Sequence, residues 1–212
     1  AMFVIMLGFT FFSASMSVGA KMANGLDLTQ FLWAVLIGGA ILGAYTGVLA
    51  YISNETGMSL DLLTHRSFGT IGSFLPSALI SFTQIGWFGV GVAMFAYPAA
   101  ELLKIPVWVL VVLAGIAMTS SAYFGIKGLE IVSYVSVPLI TILGTYSMIT
   151  AVRDGGGIVS IFDKSTGGMT LFAAIGMVIG SFVSGGTATP NFTRFAKTKK
   201  SAVITTVIAF FL

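Results

Sequence analysis

The chain has no cysteine, a single histidine and few charges: only 8% of its 212 residues are Asp, Glu, Lys or Arg, where soluble domains carry about a quarter. Without cysteine there is no disulfide, no thiolate metal site and no thiol chemistry. His65, beside Arg66 in a polar connection, lends no support to metal catalysis. The acidic residues Asp27, Glu55, Asp61, Glu101, Glu130, Asp154 and Asp163 lie scattered over span ends and loops. No Ser/His/Asp, Cys/His or paired-carboxylate constellation can be assembled from them, and an enzyme is not expected. Missing too is a mid-membrane carboxylate or histidine of the kind that proton-driven pumps carry. Any coupling ion should therefore be a metal cation held by carbonyl and hydroxyl oxygens, which suits sodium best. No basic leader or small-residue cleavage pattern opens the chain, so the first apolar stretch is expected to stay in the membrane.

What the chain has in quantity is apolar sequence, 57% of residues with a mean hydropathy of +1.02, which predicts an integral membrane protein. Crossing the hydrocarbon layer takes about 20 apolar residues. Spans are expected near 1–20, 29–52, 72–98, 107–124, 129–151 and 169–190, with the start of another at 201–212. Connections fall at 21–27, 53–67, 101–106, 125–128, 153–168 and 194–200, and none is large enough for a soluble domain. With the N-terminus in the cytoplasm, the inner connections hold Arg66, Lys127, Arg194, Lys197, Lys199 and Lys200, against Lys21, Lys104, Arg153 and Lys164 outside. This is the bias that basic loops show. The Asn-x-Thr triplets at Asn54 and Asn191 would then face the cytoplasm without glycan. The net charge of +3 and pI near 9.3 accompany no aromatic-basic nucleic-acid pattern, so nucleic acid is not an expected partner.

Two stretches share one texture inside apolar spans: Gly8-Phe9-Thr10-Phe11-Phe12-Ser13-Ala14-Ser15 and Gly180-Ser181-Phe182-Val183-Ser184-Gly185-Gly186-Thr187. Each predicts an interrupted helix, the first because its hydroxyls can satisfy opened backbone, the second because Gly185-Gly186 tolerates non-helical dihedrals. Breaks survive in lipid only where freed peptide groups find an ion, a ligand or water. Two breaks five spans apart are what an inverted repeat predicts, with binding at the midplane. Paired harmless kinks are the alternative.

The third span carries Gln84 and Trp87, three residues apart and hence on one face. Two readings are open: a flat polar ligand stacked on the indole and bonded by the amide, or an amide that bonds a neighbouring helix beside a space-filling Trp. The glycines Gly86-x-x-Gly89-x-Gly91 lack the strand, loop and acidic partner of a nucleotide-binding loop. The second span's Gly39-x-x-x-Gly43-x-x-x-Gly47 predicts close helix packing, and Gly176, Gly180 and Ser184 form a shorter row that could both pack and bind.

At the stretches Val4–Met16, Gln84–Ala96 and Gly180–Thr187 the sequence resembles the nucleobase/cation symporter family, in particular its cytosine permease branch, and the likeness runs along the whole chain. The resemblance implies an all-α, LeuT-like inverted-repeat bundle with discontinuous helices 1 and 6. Residues 1–151 would form the first five-helix repeat, 152–168 an external loop and 169–212 the start of the second repeat. It implies a nucleobase, most simply cytosine, held between Trp87 and Phe182. Gln84 would bond its edge, with Ser181, Ser184, Phe12, Ser13 and Gly185 completing the lining. Sodium, the coupling ion, would take the main-chain oxygens of Gly8 and Phe11, with further ligands from an eighth span beyond Leu212; no other cofactor is implied. The chain is then expected to be part of a protein about twice as long, in the bacterial inner membrane, importing its substrate by alternating access. Rival expectations are another nucleobase or a hydantoin, a channel-like pore, and a non-transporting assembly or sensor subunit.

Overall fold

The computed structural model describes residues 2–163 and 165–211, with the side chain of Ser13 excepted. Among these residues there are helices and no strands: α1 Met2–Thr10, α2 Ser13–Gly25, α3 Leu28–Thr56, α4 Leu60–Gly72, α5 Phe74–Leu103, α6 Val107–Tyr123, α7 Gly125–Asp154, α8 Ile158–Asp163, α9 Leu171–Thr187, α10 Pro190–Thr193 and α11 Lys199–Phe211. Three of these, α3, α5 and α7, are long and apolar enough to cross a bilayer, as is the stretch Leu171–Thr193 that joins α9 and α10. The pair α1 and α2 passes the same test as one bent span.

Local sequence sets the ends. Asp27 caps α3 by accepting from the Gln30 amide at 2.7 Å, and Gly57 closes it in the left-handed region at φ 68°, where glycine meets no Cβ penalty. Thr170 caps α9 in the same way, accepting from Ala173 N at 3.2 Å. Between its two caps α3 runs 29 residues, about 43 Å at 1.5 Å per residue, and serves as the central post of the bundle.

Glycines let its neighbours approach. A Cβ at Gly38 would sit 2.6 Å from Val178 of α9, while Cβ atoms at Gly39 and Gly47 would meet the Phe211 carbonyl at 3.0 Å and Val207 at 2.8 Å, both on α11. The Gly39, Gly43 and Gly47 row thus packs as its spacing predicted. The Gly176 and Gly180 row makes no such approach, for a Cβ added at either would meet no neighbouring helix among the described residues within 4 Å. Around this post, Met6, Leu42, Ala209 and Phe210 form one buried cluster and Met22, Leu26, Ala34 and Ala174 another. By contrast α5, α6 and α7 turn side chains such as Leu79, Ile116 and Ile142 outward, which only apolar surroundings satisfy.

The structure corrects several expectations. The connection at 53–67 is not plain loop, because α4 begins within it. The loop at 152–168 likewise contains α8. Both helices are too short and too polar for a hydropathy window to separate from loop. More importantly, the sixth span stays helical through Gly185 and Gly186, and neither has a positive φ. Its interruption falls at Ala188 and Thr189, before α10. Glycine permits a break without requiring one. Pro190 has no N–H to continue the ladder, and the last turn tightens onto i→i+3 bonds such as Thr189 N to Gly186 O at 3.1 Å.

The short α10 is fastened to the end of α3. Ser53 Oγ donates to Pro190 O at 2.9 Å, and Asn54 Nδ2 donates to Thr193 O at 3.2 Å and Ala196 O at 2.7 Å. Asn191 Oδ1 accepts from Leu60 N at 3.0 Å, and Lys199 forms an ion pair with Glu55. Carbonyls of α10 and of the turn after it are thereby engaged. Replacing Asn54 by Ala removes both of its bonds; Thr193 O keeps the Ala196 amide at 3.0 Å, but the Ala196 carbonyl loses its donor, a cost of about 1–3 kcal/mol if it goes unmet. The expected outcome is a lower melting temperature in detergent; an unchanged one would show that solvent replaces the amide at no cost.

Candidate functional site

The first span breaks at Phe11 and Phe12, where α1 and α2 meet at a bend of 52°. Phe12 adopts extended dihedrals, φ −116° and ψ 126°. Its amide, which in a continuous helix would bond the Gly8 carbonyl, donates instead to Thr10 O at 2.8 Å. One turn on, the Ser15 amide, the regular partner of the Phe11 carbonyl, goes to Phe12 O at 3.1 Å. Hydroxyls bond back along the same stretch: Thr10 Oγ1 donates to Met6 O at 3.1 Å and Ser15 Oγ to Phe12 O at 2.5 Å. The carbonyls of Gly8 and Phe11 therefore both lose their usual i+4 donors.

The broken span borders a partly open cavity of about 260 Å³ lined by α1, α5, α6 and α9 and by Phe12 at the break. That is slightly below the roughly 300–1,000 Å³ typical of drug-sized ligands, the scale of a small ring system. Of the residues singled out from sequence, Gly8, Phe12, Gln84, Trp87, Ser181, Phe182, Ser184 and Gly185 all line it. Phe11 does not. Ser13 opens α2, but its side chain lies outside the described residues, so its expected place in the lining has no structural account.

Aromatic rings form much of the wall. Phe12 meets Trp87 edge-on at 5.6 Å and 86°, and Phe182 meets Phe210 of α11 edge-on at 6.2 Å and 88°, geometries that the ring quadrupoles favour. Polar groups are few. Ser181 Oγ is committed to Val178 O of its own helix at 2.7 Å. Gln84 is different: its Nε2 is buried without a hydrogen-bond partner among the described residues. Among the described residues no neighbouring helix supplies that amide nitrogen with a partner.

Glycines shape the rim by absence of a side chain. A Cβ at Gly8 would come within 2.6 Å of Ser133 Oγ on α7, and one at Gly185 within 3.2 Å of the Phe9 ring. Four lining residues escaped the sequence reading: Phe9, Phe88, Gly91 and Met118. Phe88 and Gly91 follow Gln84 by four and seven residues, the helical face on which Trp87 also lies, so that spacing held the signal. Phe9 and Met118 are brought in by tertiary packing alone. Among the described residues no group of three His, Asp or Glu side chains could hold a metal ion.

Sequence comparison places these features among known proteins. A sequence model of the family described as permease for cytosine/purines, uracil, thiamine and allantoin matches residues 1–212. The chain is 44% identical over 213 residues to the cytosine permease of Escherichia coli strain K12, covering 100% of this chain and 51% of that protein, and it shows the same figures for the cytosine permease of Escherichia coli O157:H7. It thus spans about half the length of the curated relatives it matches. Its fold is similar to that of Mhp1, a nucleobase-cation-symport-1 family transporter solved in a closed conformation with bromovinylhydantoin bound. There the TM-score is 0.83 at 17% identity, over 99% of this chain and 50% of that one.

The unpartnered Gln84 amide generates a test that needs no ligand. A buried unmet donor costs about 1–3 kcal/mol, so Gln84→Met, similar in volume and without the donor, is expected to leave the ligand-free melting temperature unchanged or raised. A fall of several degrees would mean that Gln84 makes a structural bond in the folded protein.

Proposed function

Because this chain belongs to the family of permeases for cytosine/purines, uracil, thiamine and allantoin, a family of multi-pass membrane transporters with the LeuT-type bundle and not of enzymes, we propose that it is the binding half of a sodium-coupled importer of a nucleobase, cytosine in the first place. The observation that carries the reading is the Gln84 amide, buried and unpartnered in a cavity walled by Trp87, Phe12 and Phe182. A planar heterocycle answers both features at once, offering its faces to the rings and an acceptor on its edge to Nε2. Ser181 and Ser184 face the same space, and Gly185 leaves room for it.

Sodium is assigned to the main-chain oxygens of Gly8 and Phe11, whose usual donors the break has diverted. A hard cation takes about six oxygens, so these two are part of a set completed by residues beyond this stretch. Sodium bound there fixes the broken span against the scaffold and favours the substrate-ready state, which is coupling by differential affinity. The bundle containing the first, second and sixth spans then rocks against the scaffold containing the third and fourth to expose the site on the other side. The Arg194–Lys200 cluster favours a cytoplasmic N-terminus in a bacterial inner membrane. A second reading keeps the mechanism and changes the cargo to another nucleobase or a hydantoin, the class bound in the Mhp1 structure.

In the full-length transporter, radiolabelled cytosine uptake is expected to saturate and to require a sodium gradient. Trp87→Ala should reduce it to background while expression and melting temperature persist. Normal uptake in that variant would overturn the stacking role, and flux that never saturates would favour a pore. At ligand concentrations of 100 times Kd, binding should stabilise the protein by about 2.7 kcal/mol. No stabilisation by any nucleobase or hydantoin would favour a non-transporting assembly.

A further inference from the structure

The three glycines of Gly86-x-x-Gly89-x-Gly91 match no nucleotide loop, and the structure separates them. Nothing among the described residues lies within 4 Å of a Cβ placed at Gly86 or Gly89. At Gly91 such a Cβ would sit 3.3 Å from Phe12 Cε2, 3.8 Å from Phe12 Cζ and 3.8 Å from Met118 Cε. Gly91 follows Trp87 by one helical turn, so the two share a face, and the Phe12 ring stands edge-on to Trp87 at 5.6 Å. The ring is therefore seated against α5 between an indole and a missing side chain.

Phe12 is also the pivot of the first span. It caps α2 in extended conformation, and its amide is the one turned from Gly8 to Thr10. Its side chain lines the cavity while its backbone diverts the donor from a carbonyl assigned to the cation. The geometry points to Gly91 as a positioning residue: by seating the Phe12 ring it sets at once the width of the substrate cavity and the setting of the opened backbone, linking nucleobase and sodium affinity through one side chain. This rests on the proposed function. A methyl group at position 91 has two ways to be accommodated. Pushed sideways, the ring enters the cavity; pushed back along its own bond, it moves the Phe12 backbone and with it the Gly8 and Phe11 carbonyls. Trp87 blocks the third direction.

The experiment uses the full-length transporter and a double-mutant cycle between Gly91→Ala and Phe12→Leu, whose smaller branched side chain frees the notch. Gly91→Ala alone is expected to weaken cytosine binding by about tenfold, the scale of mild overpacking, and to shift the sodium concentration for half-maximal binding in the same preparation. In the Phe12→Leu background the same alanine should cost less than about threefold, the non-additivity of residues that touch or act through one shared cavity. Additive effects, or wild-type cytosine and sodium affinities in Gly91→Ala, would overturn the proposal. Should Gly91→Ala fail to fold, recovery of folding in the double variant supports the notch and its failure there refutes it.

A ligand-free readout separates this proposal from the functional reading. With every tryptophan but Trp87 replaced by Phe, Gly91→Ala should shift Trp87 emission through the displaced Phe12 ring. A shift would uphold the seating of the ring even if the wild-type protein bound no cytosine, a result that would sink the transport reading alone. Unchanged emission would sink the seating itself.

Discussion

A peptide amide surrounded by apolar side chains must find an acceptor, and at Phe12 it finds Thr10 in place of Gly8. Much of the site depends on that exchange. In hydrocarbon an unmet backbone group costs several kcal/mol, so a helix opens only where the loss is made good locally. Here the Thr10 and Ser15 hydroxyls add bonds to the Met6 and Phe12 carbonyls, while Gly8 and Phe11 lose their regular donors to Thr10 and Phe12. The same exchange bends the span by 52° and turns the Phe12 ring onto Trp87. One backbone event thus supplies both an oxygen-rich segment and an aromatic wall.

Glycine holds the rest of the frame in place, in a role distinct from chain breaking. Hydrocarbon provides no hydrophobic drive between helices, so association rests on close packing, and α3 achieves it by presenting Gly38 to α9 and Gly39 and Gly47 to α11. The position of Phe182 relative to the first span follows from these contacts, since α9 lies on the α3 post and Phe182 rests on Phe210 of α11. Gly186 belongs to the same frame: a Cβ there would fall 2.8 Å from Thr46 Cγ2. A pair that reads in sequence as a hinge is in the structure a contact surface.

That difference shows what the sequence could convey. The all-helical membrane bundle was legible because a bilayer demands long apolar helices, and hydropathy records length directly. The first break was legible because Phe-Phe-Ser-Ala-Ser is a poor helical run with hydroxyls at hand. The second was placed two to three residues too early, since glycine advertises freedom whereas the missing N–H of Pro190 enforces the stop. The face of α5 could be read from spacing and in part was: Gln84 and Trp87 at i and i+3, with Phe88 and Gly91 at i+4 and i+7 left unread. Phe9 and Met118 reach the cavity only through the packing of α1 and α6, which no local pattern encodes. The helices α4 and α8 were illegible because they are too short for their periodicity to stand out from loop composition.

The lone amide of Gln84 sets how such a cavity discriminates. Aromatic walls attract any flat ring, and the selectivity of one apolar surface for another of like shape is worth only about 1–3 kcal/mol. A donor buried without a partner behaves differently, because a ring that stacks well but offers no acceptor must leave it unmet. Sites built to hydrogen-bond a polar group reject analogues lacking it by factors of about 10⁴ or more. On the proposed reading the ligand-free protein carries the cost of Gln84 Nε2 as a standing destabilisation, relieved only when the correct edge arrives. The same group that weakens the empty cavity therefore makes it selective, whereas the seating of Phe12 beside Gly91 determines whether the ring that arrives can lie flat enough to present that edge.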